Sequence, residues 1–473
     1  MDILDFPQEL LSAVLSLLSP ADLVKFGRTC RRAQAFINPG NQILWRTAFL
    51  LVFDDPQDAW SMMPESAPVT GKENWDWYRE LRRRLRALQA IHSQWPTLDD
   101  EELVTDYLEA ILSIVDTAKF GPTAREKAQG RLPEVDDRSS LNLQRLGAMN
   151  EYQPGLEALI HDSGRSRSSA GSGAESTTWY SPGRPVTRSM TWSESEKQQR
   201  PDSASRLHVL HGLTARERLE HKAWGAARRI AYDWHLIGPQ SDYGPFLKDG
   251  SGRVNWRLLE GVCSVIGRNF SMCVEGHIAM PQGFCFSIPH RTLVDPTVPE
   301  DWARVTGPWL GTYSFLDYAD LLAFNTWDNH LGPRPTLDDE PEVCGDLSKL
   351  DLKLDNGIKN DPRLKSRLPV CTDLPPLFFT GLSRGHGGMH RPVIGVRGCV
   401  SLVPGAREVR WRFIINYGGQ DQWQLEGVQP GGIRSGGVFG VWSHCEHEEN
   451  GPVGPFCYFP MELCKPTAVV LLG

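Results

Sequence analysis

The sequence predicts an α+β protein, with a helical N-terminal part and a C-terminal antiparallel β-sheet, open or closed as a barrel. Three observations carry that expectation. Apolar residues recur at three- and four-residue steps in segment after segment up to Ile266, the mark of amphipathic helices. From about Trp302 the pattern turns β-like, and EVRWRFIINY alternates strictly, with Val409, Trp411, Phe413, Ile415 and Tyr417 on one face. Within the helical part, residues 163–205 hold twelve serines with Gly, Pro and Arg, too little apolar surface to offset the entropy of ordering, so this stretch is expected to be a disordered loop.

The helices follow in order. Pro7 suits the first turn of a helix on which Leu10, Leu11, Val14, Leu15, Leu17 and Leu18 cover a broad arc. Ser19, with Asp22 three residues on, is a capping-box-like start for the next, and Leu23, Val24 and Phe26 supply its apolar face. A third short helix carries Cys30 to Ala35. After the NPGN turn, Leu44, Trp45 and Phe49 anchor a fourth, and the unit 1–54 closes near Asp54.

Residues 55–162 read as a helical region. Trp75, Tyr78, Leu81, Leu85 and Leu88 form one stripe, and Arg82, Arg83, Arg84 and Arg86 load the other side as a solvated face. Leu103, Tyr107, Leu108, Ile111 and Val115 mark a further helix, and Leu141 to Ile160 one more. Helices resume in 206–300. There Thr214 caps one with the seam Leu219, Trp224, Ala227, Ile230 and Trp234, and Asn255 caps another carrying Leu258, Leu259, Val262 and Ile266.

The β-rich domain occupies 301–473. PWLGTYSF opens it, Gly418-Gly419 turns EVRWRFIINY back into QDQWQLEGV, and GGVFGVWS and the terminal AVVLLG supply further strands.

The formal charge of −8 gives no electrostatic case for nucleic acid or an anionic membrane. No apolar run approaches the ~18 residues that span a bilayer, and Asp2 and Asp5 stand where a signal peptide needs positive charge. Ten scattered cysteines without a CxxC pair read as reduced thiols. Together these predict a soluble protein of the cytoplasm, the nucleus or both.

Motifs of covalent chemistry are missing: there is no GxxxxGK[ST], GxSxG or HExxH, and no GxGxxG after a strand, so no cofactor is expected. SRGHGGMHR reads as a loop. HCEHEE at His444 to Glu449, with Cys457 beyond, matches no structural-zinc spacing, so no metal site is assigned. Arg410 and Arg412 share one strand face and could grip a carboxylate or phosphate, or lie on a solvated β face. The strongest signal is the leucine arc of the first helix. It exceeds what a small helical unit can cover, and a soluble chain rarely leaves a large apolar patch wet, so the surplus points to a docking module.

FPQELLSAVLSLLSPADLVKFGRTCRR, with Leu44 and Trp45 beyond, resembles the F-box. Phe6 stands where the family has leucine, and Pro7, Glu9, Leu10, Asp22-Leu23, Cys30-Arg31 and Trp45 keep the pattern. The remainder is similar to large fungal F-box proteins in GPWLGTYSF, RWRFII, WQLEGVQPGG and GPVGPF. Through WLGTY it also looks distantly like an F-box receptor group that captures peptide C-termini in a β-barrel pocket. The resemblance implies a non-catalytic substrate receptor of a Skp–cullin–F-box ubiquitin ligase. It would dock on the Skp-type adaptor, and through it the cullin scaffold, by Phe6, Pro7, Leu10, Leu11, Leu15, Leu18 and Leu23. Trp309, Tyr313, Arg410, Arg412, Trp423 and Trp442 are the candidates for the surface that holds a protein substrate, because aromatic residues and Arg dominate such contacts. Two alternatives stay open: a β domain that binds a small ligand, and an F-box protein that works outside ubiquitin ligases.

Overall fold

The computed structural model describes residues 3–61, 63–67, 75–93, 98, 100–118, 140–147, 153–163, 200–272, 278, 280–281, 284, 300–328, 330, 334–335, 337–338, 342–385 and 394–464. Most of the Ser-rich loop, His386 and His390 of SRGHGGMHR, and the terminal AVVLLG strand lie outside the described residues.

Helices α1 (Gln8–Leu15), α2 (Pro20–Gly27), α3 (Arg31–Phe36) and α4 (Gln42–Leu50) open the chain. Local capping sets their starts. Ser19 Oγ accepts the Asp22 N–H at 3.2 Å, and Asn41 Oδ1 accepts the Leu44 N–H at 3.4 Å, each satisfying a donor the helix itself leaves unpaired. The Trp45 indole donates to the Asn38 carbonyl at 3.0 Å and pins the NPGN turn beneath α4.

Next come α5 (Pro56–Trp60), α6 (Trp77–Ile91), α7 (Glu101–Asp116), α8 (Leu141–Leu146), α9 (Pro154–Asp162) and α10 (Asp202–His211). The single helix expected over 141–160 is thus two, and α10 begins four residues before Arg206. One apolar core joins α6 through α10 to the opening helices by way of Leu11, Trp45, Phe49, Leu81, Leu108 and Leu207, among others. Asp54 reinforces the joint: its carboxylate accepts from the Ser140 hydroxyl at 2.5 Å and the Leu141 N–H at 2.8 Å.

On the arginine face of α6, Arg82 and Arg86 are exposed and Arg83 is half-buried, but Arg84 departs from the sequence reading. Arg84 is fully buried, lies over the rings of Phe49, Phe53 and Trp75, and donates to Glu80, Ser113 Oγ and Thr117 Oγ1 at 3.1, 2.9 and 3.0 Å. The physical reason is that α7 packs on that side, so its hydroxyls replace water around the guanidinium. Thr214 caps only the five-residue α11 (Ala215–Leu219); Glu220 is extended, the chain restarts as α12 (His221–Ala231), and Leu219 is 85% exposed rather than part of the seam. Helix α13 (Trp256–Met272) starts as expected, with the Leu258 N–H on Asn255 Oδ1 at 3.1 Å.

The C-terminal part is an antiparallel barrel. Its strands are β1 (Gly307–Leu316), β2 (Glu342–Cys344), β3 (Ser348–Leu354), β4 (Leu377–Gly385), β5 (Ile394–Leu402), β6 (Val409–Tyr417), β7 (Gln420–Gln429), β8 (Val438–His444) and β9 (Val453–Pro460). The order β1-β3-β4-β5-β6-β7-β8-β9 closes on itself through β9 and β1, and β2 extends the far end of β1.

An eight-stranded barrel has an interior about wide enough for its own side chains. Here Trp309, Phe379, Trp411, Phe413, Phe456 and Tyr458 fill it, with Trp309 and Phe379 ring centroids 5.0 and 5.7 Å from Trp411. Gly398 makes room for them, since a Cβ there would sit 2.3 Å from the Phe379 ring. On the outer wall Leu310, Val441, Cys457 and Phe459 pack against Leu258, Val262, Ile266 and Phe270 of α13.

Residues 63–67, 302–305, Ala406 and Ile433 stopper one end of the barrel. Arg206 ties that end to the helices, reaching Asp116 at 2.8 Å and Glu408 at 3.5 Å. Ser66 adds two bonds to the Asp373 carboxylate, at 2.5 and 2.8 Å.

Seven described cysteines are free thiols, but Cys344 is disulfide-bonded, so the expectation of reduced thiols fails at that position. Sequence spacing sees only neighbours along the chain, whereas a disulfide joins residues the fold brings together. Among the described residues no helix is long and apolar enough to cross a membrane.

Candidate functional site

Two surfaces and one buried cluster hold the chemistry. The first surface belongs to α1 and its flanks. Phe6, Leu10, Val14 and Leu17 are exposed at four-, four- and three-residue steps and form one row, Leu10 at 56% and Leu17 at 82%. Leu11 and Leu15 lie on the adjacent face and are buried with Leu23 in the core. Val24, Ile43 and Leu51 of the same helical unit are exposed as well.

The structure therefore divides the residues implied as docking contacts. Phe6, Pro7 and Leu10 are exposed and Leu18 is half-buried, while Leu11, Leu15 and Leu23 hold the unit together and are not presented to a partner. Val14, Leu17 and Ile43 were not among the implied contacts, yet they are exposed. The leucine arc already contained Val14 and Leu17, but periodicity alone does not say which side of an arc faces inward.

The second surface is the end of the barrel opposite the stoppered one, its mouth, where β1, β6 and β8 end and β7 and β9 begin. Tyr313 from β1, Trp423 from β7 and Trp442 from β8 meet there, with Trp423 and Tyr313 ring centroids 5.1 and 6.2 Å from Trp442; Tyr313 is exposed and Trp423 half-buried, but Trp442, contrary to expectation, is buried in the barrel core beneath them. Phe315, Tyr417 and His444 join them; Tyr417 and Tyr313 are exposed, and His444 lies 5.6 Å from Trp423. The Trp442 indole donates to the Ser314 carbonyl at 3.0 Å, and Gly454 leaves room for its ring. Beside the mouth the β6–β7 turn opens a cleft of about 520 Å³ lined by Arg363, Tyr417, Asp421, Gln422, His444 and Glu446.

Three of the six substrate-surface candidates fall elsewhere. Trp309 is buried deep in the lumen. Arg410 and Arg412 point outward from β6 but are roofed by residues 239–246 and 362–368, because their donors are consumed within the fold. Arg410 donates to Glu426 at 2.8 Å and Asp242 at 2.9 Å; Arg412 donates to Glu426, to Asp242 at 3.1 Å and to the Lys365 carbonyl at 2.6 Å. Burial raises the Asp242 pKa, but the two guanidiniums outweigh it and hold the carboxyl below its ordinary range. Asp242 takes a left-handed conformation (φ 49°) to reach both, a cost the network offsets. Neither a free bidentate grip nor a solvated face exists there.

The buried cluster joins α9, α10, α11 and α13. His208 lies between two carboxylates, with Nδ1 2.5 Å from Glu260 and Nε2 2.7 Å from Glu217. His161 Nε2 is 3.0 Å from Thr214 Oγ1, which is itself 3.0 Å from Glu217. Burial presses the His208 pKa down, and the two glutamates more than reverse this, to about 10. Among the described residues, His161, His208 and Glu217 form the group whose ligand atoms lie close enough, within 4.8 Å of one another, to hold a metal ion.

A small helical unit with an exposed apolar row is set on a helical body that carries a side-chain-filled β-barrel. Residues 3–51, the unit that bears the row, match the F-box-like family model, so the chain contains an F-box-like domain. No curated protein and no solved structure shows significant similarity to the chain.

Proposed function

We propose that the protein is the substrate-recognition subunit of a Skp–cullin–F-box ubiquitin ligase. The F-box-like domain docks on a Skp-type adaptor, which carries the cullin scaffold, and the barrel presents a bound protein for ubiquitination. The observation that supports this reading best is the row Phe6, Leu10, Val14 and Leu17. Covering a leucine fully is worth about 1.5–3 kcal/mol, so a partner over this row and Ile43 gains enough to outweigh association costs of the usual size.

The chain itself breaks no bond in this reading. It raises the local concentration of a substrate's lysines near the conjugating enzyme. The filled lumen directs substrate to the mouth, where Tyr313, Trp423 and Trp442 offer aromatic contact and the cleft beside them offers charge. A groove of that kind suits an extended peptide segment. This machinery works in the cytoplasm and nucleus, and the seven free thiols among the described residues support that setting, although the disulfide at Cys344 does not.

The test is affinity capture with the intact chain and a Leu10→Asp/Leu17→Asp variant, scoring adaptor and cullin by mass spectrometry. Capture of both by the intact chain and of neither by the folded variant supports the reading. Failure of the intact chain to retain the adaptor overturns it. Retention of the adaptor without cullin favours a role outside ubiquitin ligases.

A further inference from the structure

We propose that His161, His208 and Glu217 form a binding site for a divalent transition metal ion of the zinc type. The site rests on none of the reasoning about the F-box. Its donor set, two imidazoles and one carboxylate, is that of zinc sites with a fourth position left open, and Thr214 Oγ1 lies beside two of the donors, 3.0 Å from His161 Nε2 and 3.0 Å from Glu217 Oε2.

The surroundings are those a metal site needs. A ligating histidine is normally oriented by a carboxylate on its other ring nitrogen, and Glu260 occupies that place on His208 Nδ1 at 2.5 Å. Glu260 is held in turn by the Ser205 hydroxyl at 2.8 Å and by Arg200. Glu217 is fixed in the same way: Oε1 accepts from Ser264 Oγ at 2.8 Å, while Oε2 lies 2.7 Å from His208 Nε2 and accepts from the Thr214 N–H and hydroxyl. The His161 and His208 rings stand edge to face, 5.1 Å apart at 77°, with their donor atoms and that of Glu217 within 4.8 Å of one another. Without metal, His208 sits between the two carboxylates, Nδ1 toward Glu260 and Nε2 toward Glu217, and an ion bound at Nε2 sends any proton that nitrogen carries to solvent.

The position gives the ion a purpose. His161 lies just before the long Ser-rich segment and His208 just after it, so bound metal would staple the two ends of that segment together. Closing a long loop by a cross-link is where such a staple gains most.

The experiment uses the full chain, freed of metal with chelator and titrated with Zn²⁺ by calorimetry, and with Co²⁺ by visible absorption, beside the His161→Ala and Glu260→Gln variants. The expected result is one equivalent of zinc, tetrahedral-type cobalt bands, loss of both in His161→Ala, and roughly 10- to 100-fold weaker zinc binding in Glu260→Gln. His161 is partly exposed, so its alanine variant should melt with the metal-free parent, and that melt is run as the folding control. Absence of stoichiometric zinc binding by the intact chain overturns the proposal, and so does undiminished binding by a folded His161→Ala.

Discussion

Leu10 and Leu11 are consecutive residues that point about 100° apart on the first helix, Leu10 into solvent and Leu11, 4% exposed, into the core. The same apolar residue type therefore serves two purposes one position apart. Leu11→Ala should destabilise the protein by about 2–5 kcal/mol, whereas Leu10→Ala should leave stability unchanged within ~0.5 kcal/mol. Denaturant midpoints of the two variants check this, and equal midpoints would refute the assignment of faces.

The buried quartet Arg410, Arg412, Glu426 and Asp242 should behave as a unit. Glu426→Ala leaves two guanidiniums without their shared carboxylate in a site water does not reach, which should cost about 3–5 kcal/mol. A urea titration measures it. A loss below ~1 kcal/mol would mean that the roof over β6 opens to solvent.

Aromatic residues of the barrel should divide by position rather than by type. Trp411→Ala removes the centre of the lumen and should cost about 3–5 kcal/mol. Tyr313→Ala and Trp423→Ala, at the mouth, should leave the melting temperature within a few degrees of the parent and abolish capture of substrate. Unchanged capture by both mouth variants would move the substrate surface elsewhere.

His447 should make stability fall in mild acid. Its ring stacks on Tyr243 at 3.5 Å, Ser443 Oγ lies 3.4 Å from Nδ1, and Arg412, Arg363, Asp242 and Glu446 surround it. Burial first, and then the two arginines, push its pKa down to about 4. The unfolded chain, near 6.5, then binds the proton more readily than the folded one. Stability is full above pH ~6.5 and declines as the pH falls toward about 4. His447→Gln should flatten that slope in a pH series of thermal midpoints, and an unaltered slope would contradict the assignment.

The sequence spoke most clearly where one interaction range decides the structure. Ser19, Asn255 and Thr214 cap helices as read, because a cap needs only the next three residues. The β6–β7 hairpin was legible because alternation and Gly418-Gly419 are both local. Ring closure was left open, since β1 and β9 pair across most of the C-terminal part and nothing in either strand announces it. Arg84, Arg410 and Arg412 were misread for one reason: a charge on a strand or helix face looks solvated until the covering element is known. The mouth was half legible. Tyr313, Trp423 and Trp442 stood out as aromatics, but Trp309, four residues from Tyr313 on the same face, lies at the closed end of the barrel.

The most direct measurement is hydrogen exchange on the full chain with and without a purified Skp-type adaptor. Docking through the F-box-like domain predicts slowed exchange across residues 5–19 and around Ile43, with the barrel mouth unaffected. Exchange unchanged over that row, or protection confined to the barrel, would contradict it.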